Sequence, residues 1–517
     1  MPQGKTSSGK RAKRLVELHQ PQRNKLASIQ ALQRFFDARP LQLLVLAVLL
    51  VIIAAPSLLP RFSVVDNDIW WHMKVGDWVL EHKAFPHSGI LSRTAADRPW
   101  MAYSWMYEVL LSFFHSRFHL AGVSVYGLLL ALAVTYSVFA MTRRLSGTFW
   151  RASLLATATC AAFLFNVFPR PVFFSMILFT VTLTLLLEAR RTVRPRLLYW
   201  LPPLFVLWAN AHVQFVYGIF VVGLFVVVIL LQHAAVHVGF APDDLASPPL
   251  PARTLVIVLG ASLLAACIGP YSYHLYFVVF GYLRATFPYT FIGEFQALRF
   301  RDYTDFVQLL LTVFAFFALG RRKKFDPFLT ALLCAAAVVG FRTARDAWFI
   351  CIPAAACIAE AFAGSERDRS DTVGEKGGLA AAVFLLTFLY ARGMGFNTPN
   401  LLLAVDQVYP VRAINFLRDH PQRGPLYNTF DWGGFIAWYM PEYPVAIDGR
   451  TDLYGDEIDT RFYLTENGDV SYADDPYLKD ANLFLLPRQK PLTALLASDP
   501  RFSLIYQDSL AVVFVRR

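Results

Sequence analysis

Long apolar runs separated by short polar or basic stretches dominate the first 390 residues. The runs are Leu41–Leu59, Gly122–Met141, Ala152–Phe168, Val172–Leu187, Leu197–Ala209, Phe215–Leu231, Leu255–Ile268, Phe306–Leu319, Phe328–Val339, Trp348–Phe362 and Leu379–Tyr390. They predict about eleven helices crossing roughly 30 Å of hydrocarbon. Several are shorter than a full crossing, so their ends shift by a few positions or a pair is re-entrant. Between the first two runs, Ile69–His82 has helical spacing, with Trp71, Val75, Trp78 and Val79 on one face. That pattern predicts a helix lying flat in the interface. From Asn397 onward the pattern changes. Short β-like runs appear at Pro425–Thr429, Val445–Ile447, Leu483–Leu486, Leu504–Tyr506 and Leu510–Val515, with helix candidates at Pro410–His420 and Pro491–Ala497. The expected fold is an α-helical polytopic membrane protein with a C-terminal soluble α/β domain. Its expected parts are a basic segment 1–40, a transmembrane domain 41–392 with a large first loop 60–119, and the soluble domain 397–517.

Composition agrees. Apolar residues make up 56% of the 517 positions and aromatics 15%, with a mean hydropathy of +0.43, which excludes an ordinary soluble enzyme. The net charge of +11 would suit nucleic acid, but its placement argues against that partner. Lys and Arg gather in the first forty positions and in alternate short loops: Arg143, Arg144 and Arg151; Arg190, Arg191, Arg194 and Arg196; Arg321 to Lys324. This is the positive-inside pattern. With the N-terminus inside, the segments from Pro60 to about His119 and from Gly269 to about Tyr303, and the C-terminal domain, lie outside. The N-terminal segment lacks a short apolar core with a cleavage site, so it reads as retained rather than as a signal peptide. Residues 14–36 read as an amphipathic helix on the inner leaflet. The five cysteines all fall in apolar runs without metal-ligand spacing and read as packing residues.

Candidate chemistry follows from this topology, because the unusual polar residues collect at outer helix ends. Asp66, Asp68 and His72 follow the first crossing, Arg170 caps the third, and Asn210, His212 and Gln214 end the fifth. Tyr271, Tyr273 and His274 follow the seventh, Glu294 lies in the same outer segment, and Arg342, Arg345 and Asp346 end the ninth. Charges of both signs at several helix ends describe a polar cavity opening outward. Arg, His and Trp at such positions are often only interfacial anchors, whereas carboxylates gain nothing from phosphate headgroups. Asp68 has a competing role as the cap of the helix that follows it; His72 lies one turn further on. Asp66-x-Asp68 is also a weak pattern for a divalent cation, Mg²⁺ or Mn²⁺. In the tail, Asp448-Gly449-Arg450 reads either as a turn with a structural ion pair or as an acceptor-holding loop over the cavity.

The order of these features resembles the C-type glycosyltransferase superfamily, GT-C. The nearest likeness is to a largely unassigned bacterial branch carrying Asp-x-Asp-x-Trp-Trp-His in the first external loop. The matching residues are Asp66, Asp68, Trp70, Trp71, His72, Gly76, Pro86, Ser92, Thr94, Trp100, Trp105 and Glu108. Tyr427 to Gly434 and Ile447 to Tyr454 in the tail share the likeness. Gly269 before Pro270 and Phe295 after Glu294 depart from it. The resemblance implies a membrane glycosyltransferase in the bacterial inner membrane, using a polyprenyl-phosphate-linked sugar donor and a glycan, lipid or protein acceptor on the outer face. Asp68, then Asp66, would serve as catalytic base. Arg342, Arg345, Arg170, His212 and His274 would bind the donor phosphate, and His72, Glu294, Asp448 and Arg450 would support the site or hold the acceptor. Alternatives are a lipid-linked glycan ligase or polymerase, a multi-pass transporter and a non-catalytic membrane assembly protein.

Overall fold

A computed structural model describes residues 34–164, 168, 170–239, 250–363 and 371–517. The basic stretch expected on the inner leaflet lies almost wholly outside the described residues. The chain divides into two compact units, Met1–Val51 with Arg369–Leu389, and Ile52–Asp368 with Tyr390–Arg517. In the first, Arg39 pairs with Asp371 at 3.7 Å. The candidate site belongs to the second.

Every apolar run predicted to cross forms a helix among the described residues. In chain order the helices to Gly393 are α1 (Arg39–Ala54), α2 (Asn67–His82), α3 (Trp105–Ser146), α4 (Phe149–Phe163), α5 (Val172–Thr192), α6 (Leu201–Ala211) and α7 (Phe215–His237). Then come α8 (Ala252–Ala265), α9 (His274–Arg284), α10 (Phe287–Phe291), α11 (Tyr303–Gly320), α12 (Pro327–Arg342), α13 (Ala347–Ala361) and α14 (Val373–Gly393). Among the described residues, six helices are long and apolar enough to span: Arg39–Leu58, Trp105–Ser146, Val172–Thr192, Phe215–His237, Tyr303–Gly320 and Val373–Gly393. The protein is thus a helical, polytopic membrane protein. The shorter runs are accommodated by burial: in α13 every residue from Ala347 to Ala359 is buried, so this helix threads the protein interior. The helix predicted over Ile69–His82 is α2, and Trp71, Val75 and Val79 of its apolar face are buried within the protein. α3 breaks at His119 (φ 52°), which separates the part packed beside α2 from the apolar part after it.

The tail contains α15 (Thr398–Val408), α16 (Val411–Asp419), β1 (Leu426–Asn428), α17 (Gly433–Tyr439), α18 (Thr451–Asn467), α19 (Pro476–Lys479), β2 (Leu483–Pro487), α20 (Pro491–Ser498), β3 (Phe502–Gln507) and β4 (Ala511–Arg516). The strands form one mixed sheet in the order β1-β2-β4-β3. β1 runs parallel to β2, with Leu426 opposite Leu483, and β4 pairs antiparallel with β2 and β3. The expected strand at Val445–Ile447 does not form. Val445 instead makes an isolated bridge to Ser92 of the first loop, joined by a Thr94 hydroxyl bond to the Ala446 carbonyl. These bonds, and the packing of α17 on α2, seat the tail on the loop that carries the Asp-x-Asp pair.

Candidate active site

The site begins with the entry into α2. Asp66 is the N-cap, its Oδ1 accepting from the Asp68 backbone N–H at 3.2 Å. The capping role weighed for Asp68 therefore falls to Asp66, which leaves the Asp68 side chain free to point elsewhere. Its Oδ1 accepts from Trp71 Nε1 at 3.0 Å, one helical turn on.

Arg170 ties the group together. It stands just before Pro171 and α5, and its side chain reaches the start of α2. Its guanidinium donates to Asp66 through Nε (2.8 Å) and Nη2 (2.5 Å). Its Nη1 lies 2.9 Å from Asp68 Oδ2 and 3.3 Å from Glu294 Oε1. Arg345 adds a second cation, 3.6 Å from Glu294 and 4.7 Å from the Phe295 ring centroid. Burial pushes the Asp68 carboxyl up to about 6, with Arg170 pulling the other way and Asp66 adding to the rise. Burial also opposes the charge on Glu294, yet Arg170 and Arg345 hold its carboxyl below the usual value. Burial works against the Arg170 charge as well, but the three carboxylates keep it protonated.

These groups open on a cavity of about 480 Å³. Asp68, His72, Arg170, His212, Glu294, Arg345 and Arg450 all line it, so seven of the residues singled out from the sequence meet at one place. Asp66 lies directly behind, 3% exposed. His72 points Nδ1 at Glu108 Oε1, 3.0 Å away, and burial, then Arg170, hold its imidazole well below the ordinary value. His212 faces Ser175, and burial followed by Arg345 lowers it too. Arg342 and His274 are placed elsewhere. Arg342 is exposed with its guanidinium over the Tyr289 ring at 5.7 Å. It ends α12, and the extended turn at Thr343 redirects the chain before Arg345. His274 stacks on Tyr273, with its Nδ1 near the Tyr271 carbonyl.

The tail closes one wall. Asp448 and Arg450 form a fully buried ion pair (Nε–Oδ1 2.9 Å, Nη2–Oδ2 2.6 Å), with Tyr454 Oη donating to Asp448 at 3.1 Å. The turn reading of this tripeptide thus describes its ion pair, and Arg450 nevertheless reaches the cavity wall, its guanidinium 4.7 Å from the Trp100 ring centroid. Gly449 sits so close to α2 that a Cβ there would overlap Asp68 Oδ1. Several lining residues were not singled out from the sequence. Tyr103 and Tyr282 share a hydroxyl–hydroxyl bond of 2.8 Å, and Asp452 accepts from Trp100 Nε1 at 3.0 Å, burial raising its carboxyl to about 6. Asp431 is another. Only their membership in the two outer segments and the tail motifs hinted at them.

The Asp66 and Asp68 carboxylates are engaged by an arginine. Both Asp66 oxygens are taken by Arg170, and among the described residues no group of three or more His, Cys, Asp or Glu is arranged to hold an ion. The guanidinium itself bridges Asp66 and Asp68.

No family model matches the chain, and no curated protein matches it. Among solved structures, the chain is similar to the apo oligosaccharyltransferase of Archaeoglobus fulgidus, with a TM-score of 0.49 and 11% identity over 87% of this chain and 69% of that one. It is also similar to ArnT from Cupriavidus metallidurans bound to undecaprenyl phosphate, with a TM-score of 0.47 and 14% identity over 90% of this chain and 97% of that one.

Proposed function

We propose that this protein is a GT-C-type glycosyltransferase that moves a sugar from a polyprenyl-phosphate donor to an acceptor hydroxyl on the outer face of the bacterial inner membrane. The observation that carries the reading is the single cavity in which Asp68 faces Arg170, Arg345 and His212 at the ends of membrane helices. In this scheme the acceptor oxygen forms a bond to the anomeric carbon while the bond from that carbon to the phosphate oxygen breaks. The electron pair leaves with the lipid phosphate, and the acceptor proton passes to Asp68. A positioned base contributes about 10²–10⁴-fold, and an Asp68 carboxyl that titrates at about 6 is ionised at neutral pH yet basic enough to accept a proton. Arg345 is the first candidate for the leaving phosphate because its fork matches phosphate oxygens and, among the described residues, its one ion pair is the 3.6 Å contact to Glu294. Arg170 supplies the fixed positive charge beside the base, so no step is routed through a metal. The polar groups sit at helix ends rather than at mid-membrane, which favours this reading over a transport site.

The test is Asp68→Asn, alone and with Asp66→Asn, assayed for the surface glycan or glycoprotein made by the strain. A loss of about 10²-fold or more is expected of Asp68→Asn. Normal product from a well-expressed double variant overturns the mechanism.

A further inference from the structure

His212 lies just past the end of α6 in extended backbone (φ −164°, ψ 142°). Its ring lines the cavity although the residue is only 2% exposed. Behind it, Ser175 Oγ lies 2.8 Å from His212 Nδ1 and 2.8 Å from Trp208 Nε1. All three residues are buried. The hydrogen-bond inventory of this group fixes the ring tautomer.

An indole N–H can only donate, so Ser175 Oγ accepts from Trp208. The serine hydroxyl proton then needs an acceptor, and among the described residues His212 Nδ1 is the one within reach. Leaving that proton unpaired in a buried site costs about 1–3 kcal/mol. Nδ1 therefore presents its lone pair to Ser175, and in a neutral imidazole the proton is carried by Nε2. Nε2 is the one remaining polar atom of the ring. A doubly protonated ring would set Nδ1–H against the serine proton, with the Arg345 charge close by.

We propose that His212 meets the donor phosphate as a neutral imidazole whose Nε2–H is a fixed hydrogen-bond donor, with Ser175 and Trp208 as positioning residues. This rests on the glycosyl-transfer reading. It divides the work at the leaving phosphate: Arg345 supplies charge, while His212 supplies a directed donor that needs no counter-ion and no reorganisation as negative charge builds on the phosphate. It also assigns a purpose to Ser175 and Trp208, which lie behind the imidazole rather than on the cavity wall.

The side-chain amides of Gln and Asn separate this from a packing role, because glutamine places its N–H near the Nε2 position and asparagine near Nδ1. The measurement is binding of undecaprenyl phosphate to the purified full-length chain in nanodiscs, with thermal stability recorded alongside. His212→Gln should bind within about 3-fold of wild type, and His212→Asn and His212→Ala about 10- to 100-fold more weakly, the range of one hydrogen bond to a charged group. Ser175→Ala and Trp208→Phe should weaken binding about 3- to 10-fold, one neutral hydrogen bond's worth, and Ser175→Ala should also lower the thermal midpoint, because it leaves Trp208 Nε1–H and His212 Nδ1 unpaired. Equal losses for Gln and Asn overturn the assignment, as does unchanged binding in Ser175→Ala. Wild-type protein that does not bind the probe at all sinks the glycosyl-transfer reading itself, an outcome distinct from variants that bind as tightly as wild type.

Discussion

One guanidinium holds the centre of this molecule in order. Arg170 spans Asp66, Asp68 and Glu294, so its removal leaves carboxylates facing one another without a counter-charge. Breaking a buried pair from one side costs about 3–5 kcal/mol, and Arg170→Ala should lower the thermal midpoint accordingly. The same variant should bind Mn²⁺ more tightly than the wild type, visible as stoichiometric binding by electron paramagnetic resonance. Stoichiometric Mn²⁺ on the wild type, lost in Asp66→Asn, would contradict the view that the arginine stands in for an ion. A pH dependence also follows at this scale. Because the Asp68 carboxyl is raised to about 6, it is protonated, and unable to act as a base, below that value. Transfer should therefore fall tenfold per pH unit below about 6, measured as the rate at saturating donor. Residue by residue, much of this was legible beforehand, because a charged group at a helix end has few options and threading the chain put those ends on one side. Arg342 shows the limit: two arginines three positions apart look equivalent in sequence, but the extended turn at Thr343 separates them. Tyr103 and Tyr282 were invisible for another reason, since neutral hydroxyls carry no membrane penalty that marks them out.

At the scale of elements, the contact between α2 and the tail is made through glycines. Added Cβ atoms at Gly449 and Gly434 would run into Asp68 Oδ1 and the Asn67 carbonyl respectively, and one at Gly433 would strike the Ile447 carbonyl. Gly449→Ala should therefore displace either the tail loop or the Asp68 carboxylate. We expect a loss of activity of about 10²-fold, the scale on which a roughly 1 Å misplacement acts, from a chain that still folds. Wild-type turnover would show that this approach is not needed. The α2 helix itself was readable to within two residues from its apolar face, and so were four of five tail strands. Val445–Ile447 was not. Val445 satisfies its backbone against the first loop through the Leu91 carbonyl and the Arg93 N–H, a partner more than 350 positions away that no local pattern announces. Helix α18 was missed because Gly455 interrupts its pattern at φ 70°.

Over the whole molecule, the apolar runs fixed the helices but not which of them face lipid. Both α13, buried from Ala347 to Ala359, and the longer α5 read as apolar runs in the sequence, which does not say what surrounds them. α5 also measures something. At its start stands Arg170 with its carboxylates; at its end Arg190 pairs with Asp326 and Glu360, each at 2.9 Å, and Arg322 joins both at 3.3 Å. Its 21 residues rise about 32 Å, close to the roughly 30 Å of bilayer hydrocarbon. With α5 crossing the bilayer, the two ionic clusters would stand near the two faces of the hydrocarbon. In bilayers of steadily longer or shorter acyl chains, one cluster or the other would be drawn into hydrocarbon. Turnover in defined vesicles should peak at an intermediate chain length and fall on both sides. A rate indifferent to thickness would mean that the lipids deform around the protein instead. On this view the composition of the host membrane is a condition of activity, set by the length of one helix.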